Sequence, residues 1–96
     1  MASATILMTT ALALLETDTT QQTCTAPEGQ NTLLRITNVG ANAVRVGASG
    51  ATLSAVGTAT QADGQCDLAA GGEVFMLMAF RYLSTSASLL RVEALP

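Results

Sequence analysis

Seven carboxylates, four arginines and two cysteines make up the charged and thiol chemistry of this 96-residue chain, which has no histidine and no lysine. Asp63 and Asp67 are the best-placed carboxylate pair, and two carboxylates can divide acid and base roles between them. A segment holding Asp63, Gly64 and Asp67 is also what a solvated turn looks like, and that reading is preferred. Glu16 and Asp18 beside a threonine run make a weaker pair. A serine or cysteine nucleophile would lack its usual histidine base. Zinc needs more soft ligands than Cys24 and Cys66, and the acidic spacing matches no calcium loop. Gly71-Gly72 leads into a strand pattern with no lysine after it, so it is a turn rather than a phosphate loop. The expectation is a non-enzyme with no cofactor and no metal.

The composition points to association. Ordering 96 residues costs on the order of 100–150 kcal/mol of conformational entropy, so most apolar side chains must be buried. The chain is 49% hydrophobic and 11% charged, well below the roughly 25% charged residues of an ordinary soluble domain. Such a surface is expected to hide part of itself against other subunits. A net charge of -3 without a basic stripe argues against direct nucleic-acid binding. Phe75, Phe80 and Tyr82 are too few for a base-stacking platform.

The apolar run 6–15 resembles the centre of a secretory signal but lacks a positively charged lead-in, and it is too short to span a bilayer. It is read as part of the fold. Without a secretory signal, Cys24 and Cys66 are preferred as free thiols over a disulfide.

These residues must be positioned by strands. Leu34 and Ile36 alternate with Arg35 and Thr37, and Val44 and Val46 alternate with Arg45 and Gly47, so 33–49 predicts a hairpin through Asn38, Gly40 and Asn42. Pairing Ile36 with Val46 keeps Arg35 from facing Arg45, and both arginines are expected on a solvated face. Segment 4–15 fits one helix face through Leu7, Met8, Ala11, Leu12 and Leu15, yet its β-like company favours strand. Segment 17–26 predicts an edge strand ending at a Pro27-Glu28-Gly29 turn. Segment 50–64 is an irregular, mobile excursion anchored by Leu53 and Val56. After a tight turn at 68–72, segment 73–78 is apolar on both faces, with Val74, Met76 and Met78 on one and Phe75 and Leu77 on the other. It must be covered twice, by the core and by either a loop or another subunit. Residues 80–86 read as a strand end and turn. Segment 88–93 is a half-buried last strand whose edge Pro96 blunts. The whole predicts a single domain over 1–96: an all-β, small antiparallel β-sandwich, jelly-roll or immunoglobulin-like, of seven or eight strands.

The cadence Leu-Leu-Arg-Ile-Thr-Asn-Val-Gly (33–40), Ala-Val-Arg-Val-Gly (43–47), Leu-Ala-Ala-Gly-Gly-Glu-Val-Phe (68–75) and Leu-Leu-Arg-Val-Glu (89–93) resembles small accessory virion proteins of tailed bacteriophages. The resemblance spans about two-thirds of the chain. It implies a compact β-sandwich that decorates a capsid, contacting major capsid protein or another virion protein and its own copies, with no membrane or nucleic-acid partner. The candidate subunit interface is Ile6, Leu7, Met8, Phe75, Met76, Leu77 and Met78. The alternative is a tail, fibre or spike component acting as a carbohydrate-binding module, which would need Phe80 and Tyr82 exposed and coplanar.

Overall fold

Alternating apolar and polar residues place one side chain in two against a core, and among the described residues nine strands do so, rather than the expected seven or eight. They are β1 (Thr5–Leu7), β2 (Leu12–Thr17), β3 (Gln22–Thr25), β4 (Leu33–Asn38), β5 (Val44–Ala48), β6 (Cys66–Leu68), β7 (Glu73–Leu77), β8 (Ala79–Ser84) and β9 (Ser88–Leu95). The computed structural model describes residues 5–27, 33–50, 52–57 and 65–95. Two sheets face each other, one in the order β1-β3-β8-β5-β6 and the other in the order β2-β9-β4-β7.

The antiparallel pairs are nested: β5 with β6, β4 with β7, β3 with β8, and β2 with β9. The strands thus nest as one long hairpin whose innermost pair is β5 with β6. It is rolled so that β8 also pairs with β5, and β9 with β4. That arrangement is a jelly roll, the first of the two expected sandwich types. One pair departs from the antiparallel pattern, since β1 adds to β3 in parallel. Leu15, Leu34, Ile36, Leu90 and Val92 meet Cys24, Val44, Val46, Leu68, Phe80 and Tyr82 in a single core.

Several expectations are corrected by this topology. Segments 33–38 and 44–48 do not form a hairpin, and Ile36 does not pair with Val46. The two strands lie in opposite sheets, with their apolar faces meeting across the core. Asn38, Gly40 and Asn42 carry the chain between sheets. A Cβ on Gly40 would sit 2.5 Å from the Leu89 amide nitrogen, so close approach to β9 is what requires glycine there. The described part of segment 4–15 belongs to two strands in different sheets, separated at 8–11. β3 is interior rather than an edge, and residues 79–84 form the middle strand of their sheet rather than a strand end. β9 lies between β2 and β4, so it has no open edge to blunt. Pro96 and the Glu28-Gly29 part of the expected turn lie outside the described residues. The 68–72 turn is as expected: Gly71 has φ 83°, and Gly72 N donates to Ala69 O at 2.8 Å.

Arg45 is buried, against the expectation of a solvated face. Residues 52–57 fold back over the outside of β5, with Leu53 buried against Gly47. Leu53 N donates to Gln21 Oε1 at 2.7 Å and Ser54 N to Gln65 Oε1 at 2.8 Å, which ties down this part of the excursion. Arg45 Nε then donates to Asp67 Oδ1 at 2.6 Å, and Asp67 Oδ2 accepts from Gly57 N at 2.9 Å.

Candidate interaction surface

The outward positions of β2, β9, β4 and β7 form a face that the other described residues leave uncovered. In register across those four strands run Leu12, Glu93, Arg35 and Phe75, and beside them Leu14, Arg91, Thr37 and Glu73. A further row holds Leu95, Leu33 and Leu77. Leu12, Leu14, Leu33, Phe75 and Leu77 are all exposed, Leu77 by 63%. A central strip of charge separates the apolar edges. Arg35 Nε donates to Glu73 Oε2 at 2.7 Å, and Arg91 lies 3.4 Å from Glu93. The Glu73 carboxylate holds the Arg35 guanidinium pKa above its ordinary value, first through the hydrogen bond and then through its charge.

The seven candidate interface residues divide. Leu7, Phe75, Leu77 and Met78 are exposed. Met8, just past the end of β1, is buried in the core, and Ile6 and Met76 pack against that core because their strand positions turn them inward. Leu7 lies on the outer face of the other sheet, next to β3. Met78, at φ 69°, is the corner between β7 and β8. The face at 73–78 expected to be covered twice is covered once, with Phe75 and Leu77 bare. Leu12, Leu14 and Leu33 join this face although they stand outside the seven candidates. For Leu12 and Leu14 the sequence carries a signal, since Leu12, Ala13, Leu14 and Leu15 are apolar at both parities, as 73–78 is.

Chemical alternatives gain little from the geometry. Asp67 is engaged by Arg45, and Asp63 lies outside the described residues. Glu16 and Asp18 line an open depression of about 550 Å³ at one end of the sandwich, where Asp18 Oδ1 accepts from Thr20 N at 2.8 Å. No group of three or more His, Cys, Asp or Glu residues that could hold a metal ion occurs among the described residues. Beneath the depression, Thr17 Oγ1 and Ser84 Oγ share a hydrogen bond, and Ser88 Oγ donates to Asn38 Oδ1. The Thr17–Ser84 bond joins the two sheets, and the Ser88–Asn38 bond ties β9 to β4 within one of them. Phe80 and Tyr82 are fully buried with their rings tilted by 41°, so they form no sugar platform.

Comparison with family models, curated proteins and solved structures gives no match. The surface is therefore read from its own residues.

Cys24 and Cys66 are free thiols. Burial pushes Cys24 up from 9.0 to about 12, and burial followed by the Asp67 charge raises Cys66. A thiol whose folded pKa is raised supports the fold fully below its unfolded pKa, and that support is lost as pH rises towards the folded value. Stability is expected to fall between pH 9 and about 12. A Cys24→Ala variant should lose less over that window in urea melts than the parent does.

Proposed function

We propose that this chain is a non-enzymatic structural virion protein that decorates and stabilises a bacteriophage capsid, binding capsid protein and its own copies. The observation that supports this reading is the uncovered outer face of the β2-β9-β4-β7 sheet, where large apolar side chains flank a strip of neutralised charge. An exposed patch of this kind marks an association surface rather than a reaction site. A protein that binds only the assembled shell stabilises it by mass action. Membrane and nucleic acid have no part in this reading. The tail, fibre or spike alternative loses its aromatic platform, because Phe80 and Tyr82 are core residues.

The test is a thermal release assay on virions made without the chain. They are expected to lose their DNA at a lower temperature than complete virions. Purified chain should restore the difference and a Leu77→Glu variant should not. Equal release temperatures with and without the chain would end this reading.

A further inference from the structure

We infer that two copies of this chain pair face to face through the β2-β9-β4-β7 sheet, about a two-fold axis running along the strands between β4 and β9. This deepens the association reading and rests on it only in taking the exposed face to be a contact surface.

The pattern on the face is self-complementary under that operation, which a two-fold interface requires. One row reads Leu12, Glu93, Arg35, Phe75 across the sheet. Turned over about the axis, it sets Glu93 on the partner's Arg35 and Leu12 on the partner's Phe75. Leu33 likewise meets the partner's Leu95. Leu14 meets the partner's Glu73, a carboxylate already neutralised by Arg35 of its own copy. Arg35, Arg91, Glu73 and Glu93 sum to zero charge, whereas the chain carries -3. Two copies therefore approach through this face without the repulsion that the rest of the surface imposes.

A second observation falls on the same face. The Arg91 side chain is 42% exposed there, beyond its 3.4 Å ion pair with Glu93. The operation brings Arg91 over the partner's Thr37. An axis across the strands would instead press Phe75 onto the partner's Glu73. Facing sheets pack at about -30°, which displaces the outer columns most and the β4 and β9 contacts beside the axis least. The polar pairing that sets register thus lies where the twist disturbs it least.

Four strands by about seven residues give a footprint of roughly 450 Å² per copy. That places the pair at the weak end of specific interfaces, dependent on concentration.

The test uses two charge reversals, Arg35→Glu and Glu93→Arg, followed by sedimentation equilibrium and native mass spectrometry. Circular dichroism and thermal melts confirm that each variant folds. Alone, each variant sets like charges across the axis twice and should self-associate at least about tenfold more weakly than the parent. Mixed in equal amounts, the two variants again set opposite charges at positions 35 and 93 on both sides of the axis, and heterodimers should form with parental affinity. The inference is overturned if the parent stays monomeric to millimolar concentration, if either reversal associates like the parent, or if the mixture is no tighter than its components. Shell binding is scored separately, so a failed pairing with intact shell binding removes this inference alone.

Discussion

Asp67→Ala is expected to cost more stability than Arg45→Met, although the two remove opposite ends of one ion pair. In Asp67→Ala the guanidinium stays behind with a side chain 2% exposed, whereas in Arg45→Met the orphaned carboxylate is 31% exposed and can recover water. Removing one member of a buried ion pair costs about 3–5 kcal/mol when the charge left behind stays buried and uncompensated, and less where water or other polar groups reach it. The expected losses are therefore about 3 kcal/mol for Asp67→Ala, where Gln65 Oε1 still faces Arg45 Nη1 at 3.4 Å, and about 1–2 kcal/mol for Arg45→Met, against a total stability of roughly 5–15 kcal/mol. Asp67→Ala also removes the acceptor for Gly57 N, so amide exchange over 52–57 should accelerate with it. Urea unfolding at neutral pH measures both costs. Equal values would mean that residues 52–57 do not shield Arg45.

Asn38→Asp should be the more damaging of two changes at the hub joining the sheets. Asn38 is fully buried, and its amide uses its whole hydrogen-bonding capacity. Nδ2 donates to Asn42 O at 2.8 Å and Leu68 O at 2.9 Å. Oδ1 accepts from Gly40 N at 3.1 Å and Ser88 Oγ at 2.9 Å. An aspartate turns a donor into an acceptor against two carbonyl oxygens and buries a charge. The expected loss is at least about 3 kcal/mol at pH 7, above that of Asn38→Ala. Burial raises the pKa of the introduced carboxyl above its unfolded value, and a protonated acid regains one donor. The loss relative to parent should therefore shrink as pH falls from 7 to 4, a dependence that Asn38→Ala lacks. Urea melts at both pH values read it directly, and a pH-independent difference would contradict the assigned hub.

Side-chain parity was legible in the residues. Leu34, Ile36, Val44, Val46, Leu90 and Val92 all point inward as their alternation requires. Strand partners were not, because alternation is the same for two strands side by side in one sheet as for two facing across a core. Only the nesting of β5·β6 within β4·β7, β3·β8 and β2·β9 distinguishes these cases, and that pairing spans up to the whole chain. Arg45 reads as a surface residue because the cover that buries it comes from 52–57 and Gln65, and no local pattern announces their return over β5. The bare face was half legible: segment 73–78 showed its two-sided apolarity, and the same feature at 12–15 was obscured by an equally good helical spacing.

If this chain decorates a shell, the outer face of the β2-β9-β4-β7 sheet is a contact surface. Carbene footprinting of the whole chain, free in dilute solution and bound to shells, tests that most directly. Labelling of Leu14, Phe75 and Leu77 should fall several-fold on assembly, while Leu7, on the outer face of the opposite sheet, changes less. Unchanged labelling of Phe75 and Leu77 in the bound state, with protection confined to the other sheet, would contradict it.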